Sequence, residues 1–311
     1  HPRRLHGYGR NPPDPRWPGG ARLALQFVLS VEEGGERTVL NGDPGSETYL
    51  PEMAGVSQRL GQRHFSVESL YDYGGAVGFW RLLRLFERYR LPLTAFVVGR
   101  ALELHPDAGA ALAEAGHELA GHGYRWIDYR DVDEATERAH IERTCELIAA
   151  TTGELPVGWY TGRVSLNTRQ LLVERGHLLY DSDAYDDELP YWVAAAGRAH
   201  LVIPYTLVNN DIRYVTSPGC AHAGDFFTLL RDAFDALRDE GAEHPRVMSV
   251  GLHPRFSGHP ARVAAIARFL DYAAGRDGVW ICRRRDIAEH WRQRFRHDGA
   301  APYRPIRNPR E

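Results

Sequence analysis

The sequence predicts an α/β fold in which a parallel sheet is covered by helices. Three observations lead there. Short apolar runs of strand character alternate with helical segments seven or eight times. No Ser/Gly linker, charge block or short-period repeat divides the 311 residues, so residues 1–311 read as a single unit. Ionisable or hydrogen-bonding residues fall at the carboxyl ends of successive strands, while the strand interiors are apolar. In a β/α barrel, that end of the strands carries the chemistry.

The elements follow in order. Residues 1–20 form a Pro- and Gly-rich arm without regular structure. Arg22 to Val31 reads as a buried strand that ends in Glu32-Glu33-Gly34-Gly35. Residues 36–78 are polar and Gly-rich without a period, which predicts an irregular insertion of the kind that serves as a lid or interface arm. Helical period then marks 79–89, 106–115, 133–152, 167–175, 225–239, 261–274 and 285–295. Asp133 is placed to cap the third of these, and Gly153 and Gly176 to close the third and fourth. Strands are predicted at 93–99, 117–122, 157–161, 179–183, 200–206, 247–253 and 279–282. No GxGxxG follows the first strand, which argues against a dinucleotide fold.

Composition narrows the function classes. Lys and Arg number 38 against 41 Asp and Glu, a net charge of -3, so there is no footprint for nucleic acid or an anionic membrane. Cys145, Cys220 and Cys282 are odd in number and far apart. They exclude a disulfide framework and a thiolate zinc site, and fit a reducing compartment. No apolar run is long enough to span a bilayer and no apolar leader is visible, so a cytoplasmic protein is expected.

The strand ends carry the candidate chemistry: Glu32 and Glu33; His122 within Gly121-His122-Gly123-Tyr124-Arg125-Trp126; Trp159, Tyr160 and Arg163; Asp181 and Asp183; and His253 before Pro254. Each has a structural alternative. The two glutamates read otherwise as a solvated strand end, His122 as a satisfied core histidine, and the aspartates as turn formers or a helix cap. Pro254 holds the His253 backbone extended, which suits a structural role as well. Tyr71, Tyr73, Trp80 and Phe86 read as core.

These residues resemble the motifs of the polysaccharide deacetylase, or NodB-like, family, in order, from about Arg22 to Phe295. Ser30-Val31-Glu32-Glu33-Gly34 stands where the family has Thr-Phe-Asp-Asp-Gly, and His122-Gly123-Tyr124-Arg125-Trp126 where it has His-x-x-x-His. Gly158-Trp159-Tyr160-Thr161-Gly162 stands for Arg-Pro-Pro-Tyr-Gly, and Leu252-His253 for Leu-x-His. The family binds a divalent metal through one Asp and two His. Glu33 and Trp126 replace two of those three ligands, and a catalytic zinc normally takes three protein ligands. A closer resemblance is to the cofactor-independent allantoinase branch. It runs through Gly7–Pro13, Val31–Arg37, Gly121–Tyr129, Gly158–Arg163 and Tyr180–Trp192.

That resemblance implies a deformed (β/α) barrel of about seven parallel strands, a cytoplasmic homo-oligomer (a tetramer), and hydrolysis of the ring amide of allantoin to allantoate with no metal or other cofactor. It aligns Glu32 with the base and His253 with the acid. Glu33 is expected to raise the Glu32 pKa by like-charge repulsion. His122, Trp126, Trp159, Tyr160, Arg163 and Asp183 are expected around the substrate, with Asp181 or Asp183 orienting His253. The competing readings are a cyclic imide hydrolase, a metal-dependent polysaccharide or peptidoglycan deacetylase, and a non-catalytic carbohydrate- or partner-binding barrel.

Overall fold

Strand β1 (Leu23–Val31) is buried along all nine residues because it has neighbours on both edges and both faces. A computed structural model of the chain describes residues 3–297; the first two residues of the expected arm and residues 298–311 lie outside the described residues. One edge of β1 pairs with β8 (Arg246–Leu252). The other edge pairs first with β9 (Val279–Cys282), then with β2 (Thr94–Val97). From β2 the sheet continues through β3 (Glu118–Gly121), β4 (Gly158–Trp159), β5 (Tyr180–Asp181) and β7 (Arg198–Val202), all parallel. β6 (Tyr191–Ala195) closes that side antiparallel to β7. Between β7 and β8 no ladder forms. A lone parallel bridge, Asn210 to Gly251, and an amide of Val247 on the Glu188 carbonyl at 2.9 Å span the gap. The result is the expected deformed barrel.

Side-chain alternation along β1 sorts its residues. Leu23, Leu25, Phe27 and Leu29 point outward into the main core under α2 (Phe79–Tyr89), α7 (Ala223–Glu240) and α9 (Pro260–Ala274). Phe27 meets Phe86 and Phe269 edge-on there, at 5.2 and 6.2 Å between ring centroids. Gln26, Val28 and Ser30 point inward. The barrel interior is therefore layered. Gln26 belongs to a polar bottom layer around Arg284, at the start of α10 (Arg284–Arg294). Val28 packs with Phe96, Ala120, Tyr160 and Tyr205 in an aromatic middle layer. The mouth lies above it.

Long periodic helices fall where expected. Asp133 caps α5 (Glu134–Thr152) by accepting from the Thr136 amide at 2.9 Å, and Gly153 ends it at φ +79. Three features depart from expectation. Residues 65–78, inside the stretch expected to be irregular, are helical: α1 (Phe65–Tyr73) runs through a single wide π turn, Gly74–Gly78, into α2. A short helix α3 (Gly99–Leu104) precedes α4 (Pro106–Glu114). The β6–β7 hairpin turns at Ala196 and Gly197, both left-handed at φ +46 and +69. An Ala-Gly pair after three apolar residues is a weak hairpin signal beside Asn-Gly.

The arm turns at residues 5–10 and again at Pro18–Gly20, and it is tied to the barrel seam. Arg4 pairs with Asp187 at 3.0 Å, the Tyr8 hydroxyl donates to the Pro190 carbonyl at 2.6 Å, and Trp17 donates to the Arg246 carbonyl at 3.1 Å. A cleft of about 830 Å³ follows this seam, lined by Arg4, Tyr8, Asp187, Tyr205, Leu237 and Met248, away from the ionisable residues of the mouth. Among the described residues no helix is long and apolar enough to cross a membrane.

Candidate active site

Continuing the β1 alternation past Val31 brings Glu32 into the barrel mouth and turns Glu33 away. Glu32 is 1% exposed and holds three cationic or imidazole partners. Its Oε1 lies 3.2 Å from His122 Nε2 and 3.3 Å from His253 Nε2, and its Oε2 accepts from Arg255 Nη1 at 2.5 Å. Burial disfavours its charge, but Arg255 and His253 outweigh burial and hold the carboxyl well below the usual carboxylate range. Glu33 folds back so that its Oε2 accepts from the Glu32 amide at 3.0 Å, while its Oε1 has no partner. Burial pushes Glu33 up to about 7, against Arg255. The expectation that Glu33 would raise Glu32 is thereby corrected: the upward shift falls on Glu33, because the cations gather on its neighbour.

His253 follows β8, with an extended backbone at φ -121, and α8 (Pro254–Ser257) starts immediately behind it. Its Nδ1 donates to Asp211 Oδ1 at 2.6 Å, and its own amide and that of Ser257 donate to Asp211 Oδ2 at 2.7 and 3.2 Å. The ring is fixed, with Nε2 turned to Glu32. Burial disfavours the imidazolium, but Glu32 and Asp211 override it and raise His253 to about 9. Asp211 thus takes the orienting role expected of Asp181 or Asp183. Asp181 instead pairs with Arg169 at 2.7 Å. Asp183 accepts from the Thr161 and Gly162 amides and holds that loop in place.

His122 leaves the end of β3 and stacks on Tyr160 at 5.0 Å. Its Nδ1 donates to the Tyr160 carbonyl at 2.7 Å, which fixes the ring with Nε2 facing Glu32 Oε1 at 3.2 Å. Trp126 is buried and ringed by Tyr49, Tyr71, Arg163 and Arg255. The Arg163 guanidinium lies 4.4 Å from the Trp126 ring and 4.6 Å from Tyr49, and donates to the Trp126 carbonyl at 2.6 Å. Residues 36–64 are thus brought to the mouth, and Arg125 anchors them through the Gly35, Glu36 and Asn41 carbonyls.

Tyr160 lies in the middle layer, its hydroxyl paired with that of Tyr185 at 2.8 Å. Trp159, expected beside the substrate, faces the opposite side of the sheet. It is buried among Ile141, Cys145, Leu171 and Leu172, because adjacent strand residues cannot both face inward. Asp211 and Arg255 were not singled out in the sequence. Asp211 ends the polar run Asn209-Asn210-Asp211 after a strand, and Arg255 follows His253-Pro254 by one residue. Arg255 lies just past the end of β8 and fits the strand-end rule that found the others, whereas Asp211 opens a short 3-10 turn well beyond the end of β7, where that rule does not reach.

The mouth therefore holds an ionised carboxylate, an imidazolium braced by a second carboxylate, and a buried guanidinium. A carboxylate can take a proton from water, an imidazolium can give one to a leaving nitrogen, and a cation can steady a developing oxyanion. The residues do not fit a divalent ion. Trp126 has only a donor nitrogen, Glu33 turns to its own backbone, and the Arg255 cation already holds Glu32. Among the described residues no group of three His, Cys, Asp or Glu is arranged to hold a metal.

The architecture is a deformed β/α barrel whose cluster of buried ionisable residues lies at the carboxyl ends of the strands. The Polysaccharide deacetylase family profile matches residues 61–177. A Schizosaccharomyces pombe protein, provisionally named a polysaccharide deacetylase, is 40% identical over 309 residues, 93% of this chain and 96% of its own length. The chain belongs to the polysaccharide deacetylase family. A peptidoglycan deacetylase of Helicobacter pylori is 32% identical over 141 residues, 45% of this chain and 48% of its own length. A crystal structure of a probable polysaccharide deacetylase from Pseudomonas aeruginosa superposes with a TM-score of 0.93 at 52% identity, over 96% of this chain and 100% of the other. A crystal structure of an allantoinase superposes with a TM-score of 0.93 at 52% identity, over 96% of this chain and 99% of that one.

Proposed function

We propose that this chain opens the hydantoin ring of allantoin by hydrolysing a ring amide to give allantoate, without a metal. The observation that carries this reading over deacetylation is Trp126. It stands where the family places its second histidine ligand, and the guanidinium groups of Arg163 and Arg255 pack on it. The likeness to the allantoinase structure supports the substrate. In this reading Glu32 takes a proton from water, and the hydroxide oxygen bonds to the ring carbonyl carbon. The C–N bond then breaks, and His253 Nε2–H delivers a proton to the departing nitrogen. His122 holds Glu32 in register, while Arg163 grips the ureido arm. The same resemblance carries a cytoplasmic homotetramer.

The test is allantoin ring opening by protein dialysed against EDTA. Activity should survive prolonged chelation and be unchanged by added zinc. Loss on chelation that zinc restores would return the site to metal-dependent deacetylation. Turnover of a cyclic imide, but not of allantoin, would keep the chemistry and replace the substrate.

A further inference from the structure

Arg255 is the mouth residue whose bonding is least complete. It is 3% exposed, and Nη1 alone is engaged, on Glu32 Oε2. Nε and Nη2 are buried and have no hydrogen-bond partner. A guanidinium withdrawn from water normally fills its N–H groups, so two empty donors mark a place prepared for an acceptor. Glu33, the nearby carboxylate, does not fill them: its Oε2 is turned to the Glu32 amide. Nor is the side chain loose. Its guanidinium carbon lies 4.8 Å from the Tyr71 ring, 4.9 Å from Trp126 and 4.4 Å from Phe256, and these aromatic faces hold the cation. The backbone is equally fixed, in the short helix behind His253.

We propose that Arg255 is a catalytic electrophile: Nε and Nη2 donate to the carbonyl oxygen of the bond being hydrolysed and hold the charge that develops on it. Attack by the water oxygen moves the carbonyl π pair onto that oxygen, beside the guanidinium. Collapse returns the pair, breaks the C–N bond, and leaves a carboxylate and a protonated nitrogen. One cation thus serves two oxygens, Glu32 Oε2 before attack and the oxyanion during it, and supplies what a Lewis acid would supply. The inference rests on the ring-amide reading above.

The experiment compares wild type, R255K and R255Q on allantoin from pH 6 to 9, with thermal melts to establish folding. kcat should fall about 10²–10³-fold on the pH plateau, the range for removal of one oxyanion donor, while KM moves less than about threefold. In R255A, added guanidinium ion should restore part of the loss and ammonium should not. A loss confined to the acid limb, with the plateau intact, would assign Arg255 to Glu32 alone and overturn the proposal; so would equal rescue by ammonium. R255K keeps a charge beside Glu32 and carries the comparison if R255Q does not fold. Wild type inactive on allantoin but active on a cyclic imide would overturn the substrate reading only, and the same series is then read on that imide.

Discussion

Glu32 Oε1 and His253 Nε2, the proposed base and acid, lie 3.3 Å apart, and their protonation states are set by opposite neighbours. Glu32→Gln removes the proton acceptor and keeps the shape, so kcat of the folded protein should fall about 10²–10⁴-fold, and the melting temperature should drop as well because the buried Arg255 loses its carboxylate partner. A folded variant of near-normal rate would move water activation elsewhere. The pH profile follows from the same pair. With Glu32 as the proposed base and His253 as the proposed acid, activity requires Glu32 ionised and His253 protonated, so the plateau should extend well to the acid side and end near pH 9, where His253 loses its proton. The His253 contribution to stability has the same sign. Its folded pKa is raised, so the contribution is complete below its unfolded value near 6.5 and disappears as pH rises through about 9. Asp211→Asn removes one of the two charges that sustain this shift, and the alkaline limb of kcat/KM should move to lower pH. An unmoved limb would show that Asp211 does not tune His253.

At the scale of elements, the site depends on the π turn that joins α1 to α2. Gly78 lies against the Pro254 carbonyl and Gly258, and Gly74 lies against the Glu33 carboxylate and the Arg255 amide. Neither has a left-handed backbone; the need for glycine is contact alone. In an open helical position Gly→Ala gains about 1 kcal/mol from propensity. At Gly78 the new methyl meets backbone that cannot rotate away, and overpacking of this kind costs ~1–3 kcal/mol. Gly78→Ala should therefore lower the melting temperature and kcat together, since the displaced segment carries Arg255. Gly224, in the first turn of α7 with nothing near its missing Cβ, is the control: Gly224→Ala should leave activity intact and raise stability slightly. If both variants behave alike in melts and rates, the close approach at Gly78 is not what holds the loop.

At the scale of the whole molecule, the open seam of the barrel is closed from within by Arg284. This fully buried cation donates to Gln26 Oε1, Ser249 Oγ and Ser182 Oγ at 2.9–3.0 Å, and to the Ile203 and Pro204 carbonyls at 2.5 and 2.8 Å. Those partners come from β1, β8 and the segments after β5 and β7, the strands on either side of the gap. Arg284→Met would strand several buried acceptors at ~1–3 kcal/mol each, partly offset by relief of a buried charge. A net loss of about 2–4 kcal/mol is expected in denaturant unfolding. The folded fraction should keep its kcat within a few-fold, because the aromatic layer separates Arg284 from the mouth. A more stable variant would show that the seam needs no polar bolt.

The sequence alone determined the order of elements and the residues at strand ends, because both are written in local patterns. Apolar period separates helix from strand, and a polar residue after an apolar run marks where a strand stops. That was enough to single out Glu32, Glu33, His122, Arg163 and His253, and the family resemblance added Trp126. The tertiary structure alone decided how they divide the work. Which of two adjacent residues faces inward depends on strand parity within a closed sheet, and parity sent Trp159 to the helix layer and Glu32 to the mouth. Which acid pairs with His253 depends on a crossing between β8 and the loop at Asp211, 42 residues apart in the chain. Charge shifts follow burial and neighbours through space, so Glu33 rather than Glu32 is raised. No periodicity records a contact of that range, and the free donors of Arg255 exist only once the barrel has closed around them.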